Sequence, residues 1–145
     1  MRNLPNELKF DFVKIDHIAI AVVSIEKSKQ IYALLGGREG HLETVAEQGV
    51  DVLPIYFSGT SIELLQPISE ATPVGRFLQK RGEGLHHIAL QVDDIAKSIA
   101  NCIEGGIRPI DLTPRNGAEG KLIAFLDPRT TGGVLIELTQ VVSDN

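Results

Sequence analysis

Tryptophan is absent from this 145-residue chain, and cysteine and methionine occur once each. A lone Cys102 excludes an internal disulfide framework and any thiolate-cluster metal site. No run approaches the ~20 consecutive apolar residues of a membrane-spanning helix, so no membrane partner is expected. Basic charge is scarce and scattered. The 14 Lys and Arg stand against 19 Asp and Glu, for a net charge of −5. Without a basic stripe, a nucleic-acid partner is not expected either. Met1 to Lys14 is mixed and charged, with neither the apolar stretch of a signal peptide nor the acid-poor composition of a transit peptide, so the expected location is cytoplasmic. What is present is ordinary globular material. Hydrophobic residues at 43% and charged residues at 23% exclude disorder, collagen and a coiled-coil rod. The length predicts a single domain spanning residues 1–145, large enough to bury a core without cross-links.

The chain repeats itself. Residues 15–29 align with residues 85–99 at an offset of 70, and seven of the fifteen positions are identical, among them His17 with His87 and Ala19 with Ala89. Ile62-Glu63-Leu64 recurs as Ile136-Glu137-Leu138 at an offset of 74. Two copies of one unit, about 15–66 and 85–140, account for most of the sequence. Each copy opens with a strand, 15–22 or 85–92, followed by a helix. The first helix carries Ile25, Ser28, Ile31, Tyr32 and Leu35 at helical spacing and stops at Gly36-Gly37. The second opens at Asp93-Asp94, where Asp caps orphan amides, carries Ile95, Ile99, Cys102 and Ile103 on one face, and stops at Gly105-Gly106. Strands are expected at 39–46, 51–58 and 61–66, then at 107–111, 121–127 and 133–140. In the connection 67–82, Thr72-Pro73 marks a further helix start. The fold class is therefore α+β: two tandem βαβββ units forming a curved mixed sheet with helices outside.

Strand alternation sorts the polar residues. Ile18, Ile20 and Val22 share one face, suited to packing under the helix; Ile15, His17, Ala19 and Ala21 share the other. In the second copy Ile88, Leu90 and Val92 oppose Leu85, His87, Ala89 and Gln91. Glu63 shares a face with Ser61 and Leu65, and Glu137 with Leu135 and Thr139. A lone strand histidine or glutamate is ordinarily structural or solvated. Four such residues related by an internal repeat can instead converge in one concavity. Buried carboxylates are costly unless paired or coordinating, and His₂Glu₂ suits a divalent transition ion.

These features resemble the glyoxalase, or vicinal oxygen chelate, superfamily, and within it the methylmalonyl-CoA epimerases. The resemblance is carried by Ile15-Asp16-His17-Ile18-Ala19, Glu47-Gln48-Gly49-Val50, Ile62-Glu63-Leu64-Leu65, Gly82-Glu83-Gly84-Leu85-His86-His87-Ile88-Ala89, Pro114-Arg115-Asn116-Gly117-Ala118 and Gly133-Val134-Leu135-Ile136-Glu137-Leu138. It implies a glyoxalase-like fold around one divalent ion (Co, Zn, Ni or Mn) held by His17, Glu63, His87 and Glu137. It also implies an acyl-CoA substrate, methylmalonyl-CoA, epimerised at C2, and a homodimer. His86 lies out of the inward register and is not counted as a ligand. Some members carry a glutamate, proposed as a base, at the position of Val52; Gln66 stands where Glu or His is frequent, and Asp127 where many have His. Epimerisation needs a proton carrier on each face of C2: Glu137 is the first candidate and Glu47 the second. Arg115 and Lys121 bracket a glycine-containing loop whose amides and charges suit the CoA phosphates. The Gly117-to-Lys121 spacing resembles part of a P-loop but lacks the following Ser or Thr, so a nucleoside-triphosphatase is rejected. Two rivals remain: another metal enzyme of this fold, such as a glyoxalase-type isomerase or an extradiol dioxygenase, and a non-catalytic ligand-binding protein. A fourth ligand, Glu63, argues against the dioxygenase, and a binding protein has no need of four ligand-type side chains.

Overall fold

The structure, a computed structural model, describes residues 12–142. These form two compact units, one of residues 16–88 and one of residues 89–142 together with 12–15. The N-terminal stretch behind the cytoplasmic expectation thus lies, up to residue 11, outside the described residues. No helix among those described is long and apolar enough to cross a membrane.

The unit of residues 16–88 holds most of β1 (Phe12–Ala21), then α1 (Ile25–Leu34), β2 (Arg38–Glu39), β3 (Glu43–Val45), β4 (Val50–Phe57), β5 (Thr60–Pro67), α2 (Pro73–Arg81) and the start of β6 (Gly84–Val92). The strand order is β2-β4-β5-β1-β6, with β3 also on β4. β1 runs parallel to β5, with His17 opposite Ser61 and Ala19 opposite Glu63. β4 runs antiparallel to β5, with Pro54 opposite Glu63. The face predicted to meet the helix does so: Val22, Leu53, Ile55 and Leu64 pack around Ile25, with Ile20, Tyr32 and Ile62 at the margin. Ser24 caps α1 by accepting from the Lys27 amide, and Thr72 caps α2 by accepting from that of Gly75. The helical stripe is narrower than expected, because Ile31 is 57% and Leu35 69% exposed. At 3.6 residues per turn, Ile31 lies roughly 120° around the helix from Ile25, while Tyr32 stays on the packed side.

The unit of residues 89–142 repeats this plan with the end of β6, α3 (Ile95–Glu104), β7 (Arg115–Asn116), β8 (Leu122–Leu126) and β9 (Ile136–Gln140). Its order is β6-β9-β8-β7. Val92, Ile95, Ile99, Cys102, Ala124, Leu126 and Leu138 form its core, whereas Ile103 turns out to solvent at 53% exposure. The repeat extends to hydrogen bonds. Asp94 caps α3 as Ser24 caps α1. Gln140 accepts from the Ile95 amide at 2.8 Å, as Gln66 accepts from that of Ile25 at 2.9 Å. Gly36 and Gly106, 70 residues apart, both take the positive φ that ends a helix (96° and 91°).

Three predicted strands are shortened. The 39–46 strand breaks around Gly40 into β2 and β3. The 107–111 strand reduces to one bridge, Pro109 with Leu126. Proline has no N–H for a ladder, and the Asp111 carboxylate accepts the Phe125 amide instead. The 133–140 strand begins only at Ile136, after Gly132 and Gly133 at positive φ.

Asp127 caps the short turn Pro128–Thr130 and accepts from both the Arg129 amide and its guanidinium. These hydrogen bonds, the guanidinium's first, hold its carboxyl at about 2. A depressed carboxyl stabilises the fold above its ordinary pKa of 3.8 and loses that contribution as pH falls through the folded value. The gap in melting temperature between the native chain and Asp127→Asn is therefore expected to be present near neutrality and to close between about pH 4 and about pH 2. A gap independent of pH across that range would show that the charge is irrelevant there.

Candidate functional site

Alternation on β1 puts His17, Ala19 and Ala21 on the face away from α1. The parallel register places Glu63 on that same face of β5, opposite Ala19, and β6 brings His87 alongside. Ala19 and Ala21 are fully buried, and their short side chains leave the room that larger groups would fill. His17, Glu63, His87 and Asp16 are themselves between 4% and 7% exposed. The two imidazoles meet edge to face, 5.4 Å between centroids, with their Nε2 atoms 3.4 Å apart. The other nitrogen of His17, Nδ1, stands 2.7 Å from Asp16 Oδ2 and 3.1 Å from Glu63 Oε2. Nδ1 of His87 stands 2.8 Å from Nδ1 of His86.

Burial, followed by the neighbouring His17 and His86, holds the His87 pKa well below its ordinary value. That ring is therefore neutral and keeps a nitrogen lone pair for coordination. His86, half-buried and edge-on to Phe77, is lowered to about 4 by burial. Asp16, His17 and Glu63 bring their ligand atoms within 4.8 Å of one another. The facing Nε2 atoms of His17 and His87 are borderline donors of the kind transition ions take. Two imidazole nitrogens each about 2.1 Å from one tetrahedral ion stand roughly 3.4 Å apart, the separation seen between His17 and His87. The residues present fit a divalent ion.

The remaining predicted residues fall as follows. Glu137 is buried at 4% on β9, opposite Phe125 of β8. Val52 is buried on β4 opposite Leu65, on the same face as Glu63; an apolar side chain occupies the place where some family members have a carboxylate. Glu47 is exposed, on the turn Ala46–Gln48 between β3 and β4. Arg115 and Lys121 flank the β7–β8 turn, closed by the Gly117 amide donating to the Lys121 carbonyl. Arg115 Nε lies 3.4 Å from Asp111 Oδ1, with the guanidinium over the Phe125 ring. Lys121 Nζ lies 3.7 Å from Glu119.

Sequence reasoning passed over Asp16 altogether and treated His86 only as a discarded ligand. Both touch the Nδ1 of the histidine that follows. The signal was in the repeat: the position before each histidine is polar in both copies, although alternation assigns it to the outer face.

Residues 16–125 match the family model described as Glyoxalase/Bleomycin resistance protein/Dioxygenase superfamily. An uncharacterised Bacillus subtilis protein, YqjC, is 41% identical over 132 residues, covering 90% of this chain and 94% of that one. The ethylmalonyl-CoA/methylmalonyl-CoA epimerase of Cereibacter sphaeroides is 37% identical over 131 residues, covering 88% and 98%. Among solved structures, a methylmalonyl-CoA epimerase in complex with methylmalonyl-CoA and NH4+ superposes with a TM-score of 0.87 at 34% identity, covering 91% of this chain and 96% of that one.

Proposed function

The chain belongs to the Glyoxalase/Bleomycin resistance protein/Dioxygenase superfamily, with the glyoxalase-like fold expected of it, and within that superfamily we propose that it inverts C2 of methylmalonyl-CoA with one divalent ion. What carries the reading is the buried pair of facing Nε2 atoms, with Glu63 at the other ring nitrogen of His17, joined to a near full-length similarity to proteins named for this reaction. His17, His87 and Glu63 hold the ion, and Glu137, the repeat counterpart of Glu63, completes the set. When bound, the ion supplies Lewis acidity toward the oxygens of the substrate.

The hydrogen at C2 lies between a thioester and a carboxylate, so its removal leaves an enolate. Fixed charges aimed at that developing oxyanion lower the barrier most. Glu137 takes or returns the proton on one face. Val52 has no proton to give, so the carrier for the other face lies elsewhere, and Glu47 on the preceding turn is assigned to it. Arg115 and Lys121 receive the phosphates of the CoA tail. The chain acts as a homodimer, which would cover apolar side chains such as Leu34, 89% exposed, and Ile68, 57% exposed.

Turnover of methylmalonyl-CoA tests the whole reading. In D₂O the inverted product is expected to carry deuterium at C2. Protein stripped with EDTA is expected to lose activity and to recover it with Co(II). Metal-loaded protein that neither inverts C2 nor exchanges its hydrogen would move the glyoxalase-type and ligand-binding alternatives ahead.

A further inference from the structure

We propose that Asp16 and His86, the residues immediately before the two ligand histidines, are positioning residues that decide which ring nitrogen of each histidine carries hydrogen. Asp16 fixes His17 permanently, whereas His86 lets His87 change. The inference rests on the metal-dependent reading above and concerns residues that play no part in it.

The two positions are related by the repeat, 70 residues apart, and both are used alike. Asp16 Oδ2 meets Nδ1 of His17 at 2.7 Å, and Nδ1 of His86 meets Nδ1 of His87 at 2.8 Å. The four side chains form a file in the order Asp16, His17, His87, His86, with the two Nε2 atoms 3.4 Å apart at its centre. A carboxylate only accepts. The hydrogen between Asp16 and His17 therefore sits on Nδ1 of His17, and the His17 Nε2 lone pair always faces inward. Glu63 Oε2 lies 3.1 Å from the same nitrogen.

An imidazole in place of the carboxylate behaves differently, because it can donate or accept. Without an ion, the file is satisfied when His86 donates from Nδ1 to His87 Nδ1 and His87 directs Nε2–H toward His17 Nε2. With an ion on both Nε2 atoms, the His87 hydrogen must sit on Nδ1 and donate to His86 Nδ1, and the hydrogen of His86 sits on its own Nε2. Each ring keeps one hydrogen throughout. The hydrogen between the two Nδ1 atoms crosses over; His87 Nε2 releases one to solvent and His86 Nε2, on the half-buried side, gains one. Partners that orient a ligand histidine are typically worth about 10–100-fold in metal affinity.

Long-range ¹H–¹⁵N spectra of the labelled protein, metal-free and loaded with Zn(II), read the tautomers directly. His17 is expected as Nδ1–H in both states. His87 is expected to change from Nε2–H to Nδ1–H on loading, with His86 changing the opposite way. Zn(II) affinity is expected to fall about 10–100-fold in Asp16→Leu and to be largely restored in Asp16→Asn, whose amide oxygen still accepts. An Nε2–H tautomer at His17 overturns the role of Asp16, and an unchanged His87 with Zn(II) bound overturns that of His86. If Zn(II) does not bind the native protein at all, the metal reading fails, and the metal-free spectrum of His17 still decides for or against Asp16.

Discussion

Replacing His87 with alanine is expected to remove the metal. The ring is buried, neutral and aimed at the Nε2 of His17 across 3.4 Å. Orienting partners alone are worth about 10–100-fold in affinity, so loss of a ligand should exceed that. Equilibrium titration with Co(II) or Zn(II), together with elemental analysis of the purified variant, measures it. His17→Ala is expected to behave the same way. His86→Ala is the control: it should still take one equivalent at saturating metal, more weakly than the native chain. Native affinity in His87→Ala would remove the assignment, and loss of the site in His86→Ala but not in His87→Ala would place the ligand one residue earlier.

The parts of this fold that could be read from sequence are those set by strict periodicity. Alternation on β1 separated Ile20 and Val22 from His17 and Ala19, and the structure keeps that separation: the former pack around Ile25 and the latter carry the site. The cap at Asp94 and the glycine stops at Gly36 and Gly106 were visible because each residue type has one local job; the Ser24 cap on α1 went unread. Strand ends were harder. Pro109 and Gly132-Gly133 interrupt segments of good strand composition, and composition does not record who supplies the ladder hydrogen bonds. Ile31 and Ile103 look apolar enough for a core, but burial depends on angle around the helix axis. Gln66, noted in the sequence only as a departure from the family pattern, and Gln140, not singled out there, cap the two helices through their side-chain oxygens. That contact spans 41 or 45 residues and has no local signature. Asp16 and His86 escaped for a related reason: a side chain assigned to the outer face still reaches the ring of its neighbour.

Glu63 and Glu137 occupy corresponding places in the repeat, yet their amides are expected to differ sharply in consequence. Both residues are buried carboxylates, at 6% and 4% exposure, and an amide oxygen is an acceptable ligand at either place. Of these two, only Glu137 is proposed to move a proton, and an amide cannot perform that step. Metal-loaded Glu137→Gln is therefore expected to lose turnover by about 10²–10⁴-fold, the usual worth of a positioned acid–base group, while Glu63→Gln loses far less. Comparing variants at matched metal content isolates the chemistry from binding. Deuterium uptake at C2 adds a second reading. In Glu137→Gln, exchange should persist from the face served by the other carrier, for one epimer of the substrate, while inversion collapses. Glu47→Gln should give the complementary pattern, keeping exchange from the face of Glu137. If Glu47→Gln alters neither inversion nor exchange, that glutamate is only a solvated side chain on its turn, and a water or another group serves the second face, since Val52 offers no proton. Equal losses in Glu63→Gln and Glu137→Gln would instead mean that the repeat is functionally symmetric, with both carboxylates acting as ligands and the proton carried by neither.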